Sequence, residues 1–155
     1  MSYPRPRWFR WWLFPLTSAA HFCDELFAGG GFYTYVTAIG GSPISLSRFA
    51  SAVLFAFLSI TIAAWVARKR YDWVLFVLAA IILTNAVTHL IQSLATRSYS
   101  PGLTSGLVLW LPLCGTILYY GFTRSPSSAW WLGLAIGTAM NIAILFFTLN
   151  LGRLP

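Results

Sequence analysis

The sequence predicts an all-α, polytopic membrane helical bundle, and three observations carry that expectation. Hydrophobic residues make up 58% of the chain and charged residues only 8%, against about 25% charged in an ordinary soluble domain. Mean hydropathy is +0.72. The apolar residues gather into five runs separated by short loops. Each run is roughly 20–27 residues long, enough to cross a hydrocarbon core of about 30 Å at 1.5 Å per residue. A net charge of +7 would suggest nucleic acid in a soluble chain. Here the basic residues lie between apolar runs and read as topology signals and lipid-headgroup contacts, so membrane lipids and no nucleic acid are the expected partners.

Taken in order, the amino terminus is basic, with Arg5, Arg7 and Arg10, and leads into Trp8, Phe9, Trp11 and Trp12. That is an interfacial aromatic anchor behind an arginine cluster. It is expected to stay on the chain, because Asp24 and Glu25 interrupt the following apolar run and no small-residue cleavage pattern precedes them. The first span is expected over about 11–37, with Pro15 near its start. A Gly40-Gly41-Ser42-Pro43 turn leads to the second, about 46–67, and Arg68-Lys69-Arg70 forms a tight basic loop before the third, about 72–96. The fourth covers about 101–123, with Ser100 as its N-cap, Pro101 in its first turn and Pro112 kinking it near mid-depth. The fifth covers about 128–151. Short loops make sequential helices antiparallel neighbours within one domain, 1–155.

Smaller features follow the same logic. Gly133 and Gly137, like Gly102 and Gly106, are small-xxx-small pairs suited to helix contacts inside the bundle. Gly29-Gly30-Gly31 either admits a neighbouring helix or unwinds the first one and opens a pocket. Cys23 and Cys114 both fall in apolar runs and read as packed thiols rather than a disulfide.

Orientation follows from the basic residues. Arg5, Arg7, Arg10, Arg68, Lys69, Arg70 and Arg124 fall on one side, and Arg48, Arg97 and Arg153 on the other. The richer side is the cytoplasmic one. With five transmembrane helices this places the amino terminus in the cytoplasm and the carboxyl terminus outside.

One stretch breaks the apolar pattern. His21-Phe22-Cys23-Asp24-Glu25 sets two carboxylates and one of two histidines inside the first run. On a helix, His21, Asp24 and Glu25 are expected to share a face. Each ionised carboxylate at bilayer depth costs about 2.5–3.5 kcal/mol by insertion scales, so such residues read as a functional site. Helices one, three and five run in the same direction, so residue counts from their starts compare depth. His21, Glu25, Asn85, His89 and Asn141 then fall in one slab roughly 10 Å thick near the membrane middle. Asn85 and His89 share a face, and Thr84, Thr88 and Gln92 add polar groups. All ten lysines and arginines flank the spans. The carboxylates must therefore be neutralised by protons, by histidine or by a cation.

The same residues resemble a family, the small bacterial integral membrane proteins named for an HXXEE motif. His21-Phe22-Cys23-Asp24-Glu25 matches that motif with aspartate in place of the first glutamate, which shortens one arm by a methylene. Asn85-Ala86-Val87-Thr88-His89 is similar to the family's second element, and Tyr99-Ser100-Pro101-Gly102-Leu103-Thr104 to its third, a YSPG-type helix start. The resemblance covers about 11–123 and implies a site without naming a substrate.

Three functional classes fit. In a membrane-embedded enzyme on a lipophilic small molecule, Glu25 or Asp24 exchanges a proton, with His21 and His89 as relays. Asn85, Tyr99 and Asn141 then hold substrate, Asn141 being equally an interhelical hydrogen-bond residue. Isomerisation, epoxide opening or cyclisation of an isoprenoid- or polyketide-like compound suits these groups, without a cofactor. The alternative is a single divalent metal, zinc or iron, on His21, Glu25 and His89, serving a hydrolase or oxidoreductase. The third is proton or cation transport. Bis-histidine haem is a weaker option, and a purely structural polar layer is the plain one. The oligomeric state stays open.

Overall fold

The computed structural model describes residues 10–68, 72–124 and 128–153, all in helices, turns and loops with no strand among them. Arg5, Arg7, Trp8, Phe9, Lys69 and Arg70, used above for anchoring and orientation, lie outside the described residues. The elements are α1 (Leu13–Phe27), α2 (Phe32–Tyr35), α3 (Leu46–Ala67), α4 (Asp72–Thr96), α5 (Leu103–Ser105), α6 (Leu111–Arg124) and α7 (Ser128–Asn150). A π-helical turn, Gly106–Trp110, joins α5 to α6.

Four helices among the described residues are long and apolar enough to cross a membrane, not five: Leu46–Ala67, Asp72–Thr96, Leu103–Thr123 and Ser128–Arg153. The expected first span is broken. Its helix α1 has 15 residues, about 22 Å of rise, short of a hydrocarbon core of about 30 Å. The cause is local. Gly29, Gly30 and Gly31 take φ of 59°, 84° and 84°, a region glycine enters without the Cβ clash that other residues meet. The chain leaves α1 through a 3-10 turn, makes the single turn of α2, and ends in another 3-10 turn over Val36–Ile39. Of the two readings of the triple glycine, unwinding is the one the structure shows.

Helix α4 is the central element, packing on α7, α6 and α3. Its contact with α7 depends on Gly133 and Gly137. A Cβ on Gly137 would lie 2.5 Å from the Val77 carbonyl, and one on Gly133 2.5 Å from Phe76 Cβ. The small-xxx-small pair is thus a contact within the bundle. The main core gathers Phe14, Phe22, Leu75, Phe76, Ile82, Trp110, Ile117 and Trp130. A smaller cluster, Phe32, Tyr35, Val36, Ile44 and Phe49, plugs the end of the bundle where α7 finishes. There the Ser42 N–H donates to Leu149 O at 2.9 Å, and the Tyr35 hydroxyl donates to Gln92 O at 3.2 Å. Outward faces stay apolar: Leu54, Phe55, Leu58 and Ile62 on α3, and Ile142, Phe146 and Phe147 on α7, are exposed, as lipid-facing side chains should be.

The fourth span begins differently from expectation. Gly102, at φ 96°, precedes the first helical residue Leu103, and no side chain caps it. Ser100 is not the N-cap; its hydroxyl is used elsewhere. The irregularity expected at Pro112 appears just before it, as the π turn. Proline lacks an N–H and its ring crowds the preceding turn; widening that turn to an i→i−5 pattern relieves the crowding. Cys114 is buried and Cys23 exposed, so Cys114 alone is a packed thiol.

Candidate functional site

Three side chains converge on one buried carboxylate. Glu25 lies one helical turn after His21 on α1, so their side chains meet. His89 comes from α4. Glu25 Oε1 is 3.5 Å from His21 Nε2 and 3.2 Å from His89 Nε2. All three residues are buried, His21 completely. The imidazoles meet edge to face with ring centroids 5.2 Å apart, which leaves no space for a porphyrin between them. His89 is seven residues from the end of α4, so the layer sits about 7 Å from the helix centre, toward the loop.

The far nitrogens are held by serines. His21 Nδ1 lies 3.0 Å from Ser105 Oγ, and His89 Nδ1 lies 3.0 Å from Ser100 Oγ. Ser100 also reaches Gln92 Oε1 at 3.2 Å. Ser100 is fully buried although it belongs to a loop, because residues 99–102 fold down onto the site. Gly102 closes that side. A Cβ there would stand 2.9 Å from both Cε1 and Nε2 of His89 and 3.0 Å from Glu25 Cγ. The π turn brings Trp110 flat onto His21, 3.5 Å between ring centroids and 25° between planes. Phe32 meets His89 edge-on.

Asp24 does not join the trio. Adjacent residues on a helix are about 100° apart, and Asp24 turns to α5 instead. Its Oδ2 accepts from the Ser105 N–H at 3.0 Å and the Ser105 hydroxyl at 2.7 Å. Its Oδ1 accepts from the Tyr99 hydroxyl at 2.6 Å. The shorter aspartate arm suits this local docking. Partial burial and the bond to Asp24 push the Tyr99 phenol above its ordinary pKa, so it remains a proton donor at neutral pH. Tyr99, Asp24 and Ser105 line one side of a shallow groove of about 500 Å³ whose other walls include Ala28, Val108 and Leu109. Val108 is exposed on a spanning helix, so the groove opens sideways.

Asn141 and Asn85 stand apart. Asn141 Nδ2 donates to Thr88 Oγ1 at 3.4 Å, a long contact between α7 and α4. Asn85 is half-buried, and its side chain makes no hydrogen bond among the described residues. Thr84 and Thr88 donate to carbonyls of their own helix. Sequence reasoning named His21, Asp24, Glu25, His89 and Tyr99, which the structure connects into one network. It missed Ser105, Gly102 and Trp110, and assigned Ser100 a capping role. No arginine or lysine pairs with Asp24 or Glu25 among the described residues.

Chemically the network has two parts. The buried part presents two imidazole nitrogens and a carboxylate oxygen within 4.8 Å of one another. The outer part presents a carboxylate and a phenol to a groove. Ser105 links them, touching both Asp24 and His21. No curated protein and no solved structure is detectably similar to the chain. Residues 12–117, more than half of the sequence, match the family model described as a protein of unknown function with HXXEE motif, and the chain belongs to that family.

Proposed function

We propose that this protein is a membrane-embedded enzyme that moves a proton on a lipophilic small molecule seated in the groove beside Asp24 and Tyr99. The observation that carries this reading is the groove itself. One wall holds a carboxylate and a phenol bonded to each other, the rest is largely apolar, and it opens on the face of a spanning helix. A lipid-soluble molecule reaches such a groove without leaving the bilayer.

The roles follow from the donors and acceptors. Both Asp24 oxygens accept and neither donates, so Asp24 is the base. Tyr99 is the donor: its one hydroxyl proton rests on Asp24 Oδ1 and turns to a carbonyl, epoxide or hydroxyl oxygen when substrate enters, which frees Oδ1 to act as the base. In an isomerisation, Asp24 takes a proton from carbon and returns it at another position, while Tyr99 steadies the charge on oxygen. Epoxide opening and cyclisation use the same pair. Such general acid–base action typically contributes 10²–10⁴-fold. His21, Glu25 and His89 sit behind Asp24, joined to it through Ser105, and fix its electrostatic setting. The membrane is the bacterial inner membrane in this reading. The broken first segment still carries the chain to the end where α7 finishes, which supports reading the amino terminus as cytoplasmic and the carboxyl terminus as outside.

The test compares lipid extracts by untargeted mass spectrometry from cells expressing wild type, Asp24→Asn and Tyr99→Phe at equal protein level. The expected result is a lipophilic species depleted in wild type, matched by a product of equal mass or one water heavier, and retained at least about 100-fold more in both variants. Extracts that do not differ between wild type and the variants would refute the proposal.

A further inference from the structure

We infer that His21 Nε2, His89 Nε2 and Glu25 Oε1 are the protein ligands of one divalent transition-metal ion of the zinc or ferrous class. The argument begins with proton accounting. Ser105 Oγ carries a single hydrogen, and its shortest partner is the Asp24 carboxylate, 2.7 Å away. The same oxygen therefore accepts from His21, which places the His21 proton on Nδ1. Its Nε2 then presents a lone pair. That atom is completely buried, has no hydrogen-bond partner, and faces Glu25 Oε1 at 3.5 Å. On the other side, Ser100 Oγ gives its hydrogen to Gln92 Oε1 and accepts from His89 Nδ1. His89 Nε2 is the second lone pair, 3.2 Å from the same carboxylate oxygen.

Three electron-rich atoms thus point at one another in a dry site, and something positive must lie between them. One proton serves only one of the two nitrogens. Two protons make two imidazolium ions whose rings are 5.2 Å apart in a setting where like charges repel strongly. A single dication satisfies all three atoms together and also balances the two carboxylates, which have no lysine or arginine partner among the described residues.

The two nitrogen–oxygen separations match a metal site. Ligands about 2.0–2.1 Å from a tetrahedral metal stand about 3.3–3.4 Å from one another, and these two are 3.5 and 3.2 Å. The three atoms lie within 4.8 Å of one another, so the two imidazole nitrogens close toward each other as the ion binds. Metal-bound histidines usually give their other N–H to an outer acceptor that fixes the ring, which is the place Ser105 and Ser100 occupy. Two imidazoles and one carboxylate exclude magnesium and calcium, which take oxygen ligands. Three protein ligands leave a coordination position open. The inference concerns the buried trio and stands apart from the groove chemistry, since metal content is read without any turnover.

The experiment is elemental analysis of the full chain purified in detergent without chelators or metal-affinity resin. About one equivalent of zinc or iron per chain is expected in wild type and in Asp24→Asn, and less than about a tenth in Glu25→Gln and His89→Gln. Because a variant can misfold, chelator-treated wild type is also titrated with Co²⁺ alone. Visible ligand-field bands that saturate at about one equivalent, and fail to appear in His21→Gln of matching thermal stability, are the expected result. Wild type that carries no metal and gives no such bands overturns the inference, and so does a folded Glu25→Gln or His89→Gln that keeps a full equivalent. Loss of metal sites with intact lipid turnover, or the reverse, separates this inference from the enzymatic one.

Discussion

Replacing Gly102 by alanine tests the site's architecture with one methyl group. Gly102 sits at φ 96°, where a residue with a Cβ is strained by about 1–2 kcal/mol. The methyl itself would stand 2.9 Å from two atoms of the His89 ring and 3.0 Å from Glu25 Cγ. Neither neighbour is a loose chain end. The His89 ring is held at Nδ1 by Ser100 and along its edge by Phe32, and Glu25 is fixed between the histidines. Overpacking of this kind costs about 1–3 kcal/mol. The two terms together give a destabilisation of about 2–5 kcal/mol. The comparison is Gly115→Ala on α6, where a Cβ meets nothing within 4 Å. Alanine there is expected to be neutral or to stabilise by up to about 1 kcal/mol. Unfolding of both variants in mixed micelles, each referred to wild type, supplies the measurement. If Gly102→Ala lies within about 0.5 kcal/mol of wild type, the range of an inconsequential surface change, the loop does not press on the histidine and glutamate, and the closed site described above is wrong.

Two further predictions use the same structure. Gly137→Val pushes a branched side chain into the α4 backbone, where even a bare Cβ would lie 2.5 Å from the Val77 carbonyl and 3.0 Å from the Ile81 nitrogen. A loss of about 3 kcal/mol or more is expected in the mixed-micelle assay, and a stability equal to wild type would show that α7 does not lie on α4 at this distance. Tyr99 supplies the pH-dependent prediction. Its phenol pKa is raised by partial burial and by Asp24, so the bond to Asp24 is fully present at neutral pH and is lost only as pH rises through the raised value. The ultraviolet difference between wild type and Tyr99→Phe should therefore show phenolate appearing above the reference of about 10. A midpoint at or below that reference refutes the Tyr99–Asp24 contact.

Much of this arrangement was legible because helix periodicity and depth are both written in residue spacing. His21 and Glu25 are four apart, and counting along α1 and α4 set His89 opposite them. Both rules work for any side chain on a regular helix. They fail where the backbone departs from regularity. An apolar window over 11–37 has the same hydropathy whether or not Gly29–Gly31 turn to positive φ, so the broken first segment looked like a fifth span. Ser100 beside Pro101 has the composition of a helix start. Only the burial of the loop shows that the hydroxyl serves His89, and burial of a loop has no period. Trp110 was hidden for a related reason: the π turn that separates it from Ser105 shifts the register of the fourth span, so ideal helical counting puts the two on different sides. Asn141, polar and at the right depth, reads equally as a site residue or as an interhelical hydrogen-bond residue, and its bond to Thr88 fits the second, since depth fixes height in the membrane but not azimuth.

The separation of Asp24 from Glu25 follows from this geometry and governs the chemistry. Two adjacent carboxylates in one low-dielectric pocket would repel, and one would have to stay protonated. A helix turns successive residues by about 100°, so the two need not share a pocket. Glu25 is placed between two imidazoles and sealed by Gly102, while Asp24 is held by a serine and a tyrosine at the edge of a groove. Carboxylates in different environments can take different roles. Ser105 touches both sides of that division, and through it the buried trio orients the carboxylate that faces the groove. A glutamate at position 24 would carry the same charge on a longer arm. The aspartate keeps Oδ2 close enough to α5 to accept the Ser105 N–H and hydroxyl together, and the same short arm leaves Oδ1 at the groove for Tyr99.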